Sequence, residues 1–255
     1  PNYADTVENL QTLYIQLIFS LFKEQDKFYP AISKVNSNIF LRPKYEIQNA
    51  IRAFLETDFD QSRFHLTNFK ACDQKQLEKL HPKDKVFCNA YSTFIGKLLE
   101  NDWDKTHLYK VHKNAYHLGE SHCLSYAHQN IKIDGLRCKI VPMIAFGAKA
   151  FHFSQAGDNS FKQITKANFT SIAQNSNVFI SFGEIDCRPN EGFLSAAKKL
   201  NKSLENLISD TVIGYLKWFS EQNKWYDHEL FFFNIPAPFY DTEHSPELNS
   251  EVLNI

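Results

Sequence analysis

Residues 114–121 read NAYHLGES, a short apolar run that closes on a glycine, an acid and a serine. Later runs have the same form: short and apolar, ending in a turn rich in glycine or proline. They are CKIVPMIAFGAKA (138–150), NVFISFGEID (177–186) and HELFFFNIPAP (228–238). Between the last two runs, apolar residues recur at helical spacing from Leu204 to Phe219. Strands that alternate with helices predict an α/β fold with a mostly parallel sheet.

Pro142 in the second run refines the predicted order of the strands. Proline cannot donate to a central ladder, so this strand is expected at a sheet edge. A doubly wound sheet of order 2-1-3-4-5 puts its second strand there, and such sheets bind ligands beyond the carboxyl ends of their strands. The segments expected to carry the site are therefore 119–121, the turn at Gly147, 183–188 and 236–244.

Residues 1–105 have a helical rhythm instead and are predicted to form a separate domain, followed by the α/β domain over residues 106–255. Asp5 and Glu8 resemble a capping box, and helical stripes follow from Leu10 to Phe22, from Ile47 to Leu55 and from Phe87 to Leu98. These patterns favour a helical bundle or a tetratricopeptide-like array, although no clean repeat is visible. We expect this region to offer a surface to a protein partner.

Composition excludes several classes of protein. The formal net charge is -1 and no long basic run occurs, which argues against a nucleic-acid partner. No apolar run has the length of a membrane span. The five cysteines form no CxxC pair, and their odd number without a secretory signal favours reduced thiols. The absence of a targeting signal in the sequence favours a cytoplasmic location. The histidines lack the spacing of a metal motif, so neither a metal nor a cofactor is predicted.

Ser121 is the first candidate for chemistry. At the turn from a strand into an expected helix, SHCLSYAHQNI, a serine would lie beside backbone N–H groups that stabilise an oxyanion. The same position also suits a serine that merely caps the helix. Gly147, at the next tip, has two interpretations too: a donor of a close backbone N–H, or an ordinary turn glycine.

The third tip, SFGEIDCRPNEG, carries Glu184, Asp186 and Arg188 at alternating positions. Continued strand geometry would point all three to one side of the sheet. An Asp–Arg pair there is either a structural clasp or a holder for a substrate carbonyl or sugar hydroxyl. His122, directly after Ser121, is a further candidate for substrate contact.

The order of these blocks resembles the SGNH (GDSL-like) hydrolase superfamily: Gly-acid-Ser, a lone glycine after the second strand, Gly-x-x-Asp, then NIPAP. More narrowly, residues 111–240 are similar to a bacterial branch with the FGEIDCR signature, often joined to helical repeats. The resemblance implies that Ser121 is the nucleophile and that the N–H groups of Ser121 and Gly147 form the oxyanion hole.

The chain departs from that family at Ile185, where the family has an asparagine that donates to the oxyanion. An isoleucine cannot donate, and loss of one such donor costs roughly 3–4 kcal/mol in barrier. One hypothesis is that Arg188 replaces this donor.

The last family block, Asp-x-x-His, matches Asp241 and His244, which would serve as orienting acid and general base. The match lies only a few residues after NIPAP, with no fifth strand or final helix visible. Two hypotheses follow. Either His244 is the base in a shortened fold, or the chain is a fragment whose functional Asp and His lie beyond Ile255, as its start at Pro1 suggests.

The sequence thus predicts a serine-dependent acyl-ester hydrolase or O-acyltransferase that acts on a small acyl ester, such as an O-acetylated glycan. The alternative is a non-catalytic module that binds a carbohydrate or a protein partner through a degenerate site. Ile185 and the position of His244 favour this alternative, and fold class alone cannot separate the two.

Overall fold

The computed structural model describes residues 42–100, 111–188 and 190–233. The chain divides into two compact units, residues 1–110 and 111–255. The capping box at Asp5 and the stripe from Leu10 to Phe22 lie outside the described residues, as do Asp241 and His244.

The described part of the first unit is helical, as predicted. Its helices are α1 (Arg42–Leu55), α2 (Phe59–Lys70), α3 (Gln74–Glu78) and α4 (Pro82–Leu99). The apolar stripe Ile47, Ile51, Phe54 and Leu55 is buried on α1. Two buried charged side chains on α1 are paired: Lys44 Nζ lies 2.9 Å from Asp84, and Glu46 lies 2.7 Å from His65 Nδ1. The predicted helical character is therefore confirmed for residues 42–100.

The second unit contains a mixed five-stranded sheet. Its strands are β1 (Lys113–Gly119), β2 (Asn130–Ile133), β3 (Leu136–Ile144), β4 (Asn177–Ser181) and β5 (Glu229–Phe232), in the spatial order β2-β3-β1-β4-β5. The pairs β1–β3, β1–β4 and β4–β5 are parallel, whereas β2–β3 is antiparallel. The α/β class is confirmed, but the expected order 2-1-3-4-5 has no place for β2.

The strand β2 replaces part of a helix that the sequence suggested. The expected helix SHCLSYAHQNI is only a 3-10 helix, Ser121–Tyr126. Beyond it His128 has a left-handed φ of 62°, and the chain enters β2. Asp134 (φ 49°) and Gly135 (φ 78°) then turn β2 back onto β3. Two positive φ values are typical of a type I′ hairpin turn, for which Asp-Gly is a preferred pair.

The strand that contains Pro142, β3, is predicted at the sheet edge, but β2 is the edge strand. Pro142 lies in the part of β3 that extends past the end of β2. Ile140 N–H donates to Gln129 O on the β2 side, while Ala145 N–H donates to Gly119 O on the β1 side. Because these directions alternate along a strand, the Pro142 nitrogen points to the β2 side. It lies there beyond the end of β2, so its missing N–H interrupts no ladder.

Helices α5 (Ala150–Ser154), α6 (Ser160–Ser171), α7 (Phe193–Leu200) and α8 (Leu204–Asn223) complete the unit. Phe153 on α5, Phe169 on α6 and Phe219 on α8 meet Leu118 of β1 and Ile180 of β4 in one buried core. Rings pack closely there, with 4.9 Å between the ring centroids of Phe153 and Trp218. This aromatic core covers one face of the sheet.

Two predictions from composition can be compared with the structure. All five cysteines are free thiols. Among the described residues, no helix combines the length and the apolar character that crossing a bilayer requires.

Candidate functional site

Three parallel strands end side by side at one edge of the sheet. Gly119, the last residue of β1, is in register with Ile144 of β3 and with Ser181 of β4. The segments that follow these strands therefore leave the sheet at the same edge. They carry Ser121, Gly147 and Glu184, the residues that the sequence nominates at the strand tips.

Gly119 permits a close approach at this edge. A Cβ at Gly119 would lie 2.4 Å from Ser181 Oγ and 2.9 Å from Cys123 Cβ. The Ser181 hydroxyl is itself held 2.8 Å from Nε2 of the buried His117. The space beside β4 is thus already filled, which explains a glycine immediately before the acid and the serine.

Ser121 is the first residue of the short 3-10 helix and does not cap it. The cap position belongs to Glu120, whose side chain makes no capping hydrogen bond. Ser121 Oγ instead donates to Glu120 Oε2 at 3.2 Å, and its side chain is half-buried. The capping interpretation of Ser121 is therefore wrong. The short 3-10 helix also provides a weaker dipole than the long helix that the sequence suggested.

Glu120 is the residue at the centre of the site that the sequence reasoning did not nominate. Its side chain is only 2% exposed, yet both of its oxygens accept hydrogen bonds. Oε2 accepts from Ser121, and Oε1 lies 2.9 Å from His122 Nδ1. This hydrogen bond raises the pKa of His122 above its usual value, although burial opposes the shift. The signal in the sequence is the acid directly before the serine.

Glu184 and Arg188 form the second half of the site. Arg188 Nη2 donates to Glu184 Oε2 at 2.8 Å, and Arg188 Nε contacts both Glu184 oxygens at 3.1 Å. Arg188 Nη1 also reaches Glu191 at 3.4 Å. Arg188, the hypothetical replacement for an oxyanion donor, is thus held by two carboxylates.

The expected strand-like alternation of Glu184, Asp186 and Arg188 is wrong. Strand β4 ends at Ser181, Glu184 has a helical backbone, and Ile185–Cys187 is one turn of 3-10 helix. The three side chains therefore do not share one side. No Asp186–Arg188 pair forms among the ion pairs of the described residues, because Arg188 pairs with Glu184 and Glu191.

Asp186 is a clasp for α5. Its Oδ2 accepts from Ala150 N–H at 2.7 Å and its Oδ1 from Phe151 N–H at 3.2 Å. Burial raises the pKa of Asp186 to about 6, although the two N–H groups favour the charged form. The same loop requires a glycine at position 192, because a Cβ there would lie 1.9 Å from Asp186 O. The expected Asp–Arg clasp is therefore wrong, and Asp186 instead holds the first turn of α5.

One group in the described part of the chain is compact enough to be considered for a metal ion. Potential ligand atoms of Glu120, His122 and Glu184 lie within 4.8 Å of one another. Each of these side chains already has a partner, however. Arg188 neutralises Glu184, while Ser121 and His122 use the oxygens of Glu120. These hydrogen bonds and the ion pair already engage all three side chains.

Gly147 is exposed and has a φ of 68°, a conformation that favours glycine. It follows β3 at the edge where Ser121 follows β1. Ile185 is buried, at 8% exposure, and has no polar atom to offer. The structure therefore joins Ser121 and His122 through Glu120 and places the Glu184–Arg188 pair close to them. It places Asp186 in the loop against α5.

Comparison of the chain with protein-family models, with curated proteins and with solved structures found no match.

Proposed function

We propose that the α/β unit is a serine-dependent acyl-ester hydrolase or O-acyltransferase of the SGNH type, with a doubly wound sheet and Ser121 as nucleophile. The substrate class is a small acyl ester, such as an O-acetyl group on a glycan. In this proposal the enzyme needs no cofactor and works in the cytoplasm, and the helical unit binds a protein partner.

The observation that carries the proposal is the hydrogen bond from Ser121 Oγ to the buried carboxylate of Glu120 at the carboxyl edge of the sheet. A serine hydroxyl is a weak nucleophile until a nearby base takes its proton. Ser121 combines a half-buried side chain, an adjacent anionic acceptor and a position where open α/β sheets bind ligands. Such a setting suits attack on a carbonyl carbon.

Two backbone N–H groups are the proposed oxyanion donors, those of Ser121 and Gly147. Both residues follow strands that end in register, at Gly119 and Ile144. The family resemblance supplies this pairing, and the positive φ of Gly147 is compatible with a turn whose N–H faces a ligand. The pair Asp241 and His244 remains a sequence-based prediction for the acid and base that complete the site.

The second candidate function is a binding module without turnover. It is favoured by buried, apolar Ile185 and by the engagement of Arg188 with Glu184 and Glu191. Neither residue then donates to an oxyanion. In this alternative the Glu120–His122 and Glu184–Arg188 pairs hold the hydroxyls of a carbohydrate by charge-assisted hydrogen bonds.

Ester turnover separates the two functions. Wild-type protein and Ser121→Ala are assayed with p-nitrophenyl acetate, with folding checked by circular dichroism. The enzyme proposal predicts that the substitution lowers kcat/KM by roughly 10³-fold or more, because the nucleophile is lost. Equal turnover by the two folded proteins would leave the binding module as the better account.

A further inference from the structure

We propose that Glu120 is the general base that takes the proton of Ser121 during attack on the ester. The inference rests on the proposed function, because it assigns a role within that same acyl-transfer site. The sequence gives Glu120 no role and leaves the base open between His244 and a histidine beyond Ile255.

The contacts of Glu120 are those that a base for Ser121 requires. Ser121 Oγ lies 3.2 Å from Glu120 Oε2, at the upper limit of the reach of a general base in an unliganded site. Among the hydrogen bonds of the described residues, the Ser121 hydroxyl donates to this carboxylate and to no imidazole. Among the described residues, an acid therefore takes the position beside the serine hydroxyl that a histidine holds in the common triad.

The surroundings hold Glu120 in this geometry. Its backbone N–H contacts Ser181 O at 3.4 Å, and its carbonyl accepts from Cys123 N–H at 3.0 Å. His122 Nδ1 binds the other oxygen at 2.9 Å, which fixes the plane of the carboxylate. Beyond it, Glu184 lies close to Glu120, and its negative charge is offset by its ion pair with Arg188. A buried, immobilised carboxylate needs little reorganisation at the moment of proton transfer.

The chemical step balances within the site. The Ser121 Oγ–H proton moves to Glu120 Oε2 as Oγ bonds to the carbonyl carbon, and the carbonyl electron pair moves onto its oxygen. Collapse of this intermediate breaks the bond to the alkoxide leaving group, which takes the proton from Glu120 and departs as an alcohol. Water then attacks the acyl-serine, and Glu120 takes the proton of the water and returns it to Ser121 Oγ as the acid is released.

The test measures the pre-steady-state acylation rate with p-nitrophenyl acetate in the full chain. The informative variants are Glu120→Gln, which keeps the shape of the side chain, and Glu120→Asp, which keeps the carboxylate. The matched control is Glu46→Gln in the helical unit. Glu46 is likewise a buried acid, 5% exposed, whose carboxylate lies 2.7 Å from a histidine, His65. Thermal unfolding of each variant checks that the fold persists.

We expect Glu120→Gln to slow acylation by about 10²- to 10⁴-fold, the usual contribution of a general base. We expect Glu120→Asp to lie between Gln and wild type, and Glu46→Gln to match wild type. Acylation by folded Glu120→Gln within threefold of wild type would overturn the inference and leave the nucleophile in place. Equal, large losses in the Gln and Asp variants would also overturn it, because they indicate a structural role. A wild-type protein that forms no acyl-serine would instead overturn the proposed function itself.

Discussion

At the scale of single residues, the candidate site depends on the two hydrogen bonds of the Glu120 carboxylate. Glu120 Oε2 accepts from Ser121, whereas Oε1 lies beside His122 Nδ1. The side chain is almost fully buried, so these two bonds replace the water that a free carboxylate would bind. Removal of either partner would leave a buried charge under-solvated.

The first prediction concerns the titration of His122. Its hydrogen bond to Glu120 raises its pKa, so His122 holds its proton to higher pH than a free histidine does. Glu120→Gln removes the negative partner and is expected to lower the His122 pKa, which an NMR titration of the ring protons measures. Glu46→Gln, which removes the partner of His65 instead, serves as the control. An unchanged His122 pKa in folded Glu120→Gln would show that the contact is absent in solution.

The second prediction concerns His117. This side chain is 1% exposed and lies beside Ser181, and burial lowers its pKa to about 4. An unfolded histidine titrates near pH 6.5, so below that pH the unfolded state binds the extra proton. The contribution of neutral His117 to the free energy of unfolding is therefore fully present above about pH 6.5 and is lost as the pH falls towards 4.

The expected loss from His117 between pH 7.5 and pH 5 is about 2 kcal/mol of unfolding free energy. Urea titrations of wild type and His117→Gln at both pH values isolate the contribution of His117, because the two proteins have all other titratable groups in common. We expect the wild type to lose more stability on acidification than the variant does. The same loss in both proteins would contradict a neutral buried His117.

At the scale of elements, the loop that follows β4 holds two parts of the unit together. Asp186 spans 36 positions of sequence to bind the first two N–H groups of α5. Arg188 closes the loop onto Glu184, and Gly192 allows the backbone to pass Asp186 O. The FGEIDCR segment therefore has a structural task in addition to any contact with a substrate.

The third prediction tests this clasp. Asp186→Ala leaves the buried Ala150 N–H and the partly buried Phe151 N–H without their acceptor, which we expect to cost about 2–3 kcal/mol of unfolding free energy. Asp58→Ala is the matched control, because Asp58 also accepts a helix N–H but is exposed, so water can replace it. We expect its cost to be about 1 kcal/mol or less. Urea unfolding measures both, and equal costs would argue against a buried clasp.

The elements also show where sequence patterns sufficed. Short apolar runs that end in turns correctly located β1, β3, β4 and β5, and helical spacing located α8. The hairpin between β2 and β3 escaped prediction, although Asp134-Gly135 is a strong signal for it. The helical pattern of residues 121–131 concealed β2, because pairing with β3 outweighed local propensity.

At the scale of the whole molecule, much of the site could be anticipated because parallel strands end at one edge. That rule grouped Ser121, His122, Glu184 and Arg188 from their positions alone. It could not assign Asp186 to α5, since that contact depends on how a distant helix packs. It also could not show that Glu120 contacts both Ser121 and His122, because these hydrogen bonds depend on side-chain geometry.

The measurement that tests the central claim most directly is the position of a covalent label. The folded wild-type protein is treated with a fluorophosphonate, whose phosphorus is attacked by an activated serine oxygen with loss of fluoride, and the modified peptide is identified by mass spectrometry. The account predicts a single adduct on Ser121 that is absent from folded Ser121→Ala. No adduct on the wild type, or an adduct that persists in Ser121→Ala, would contradict it.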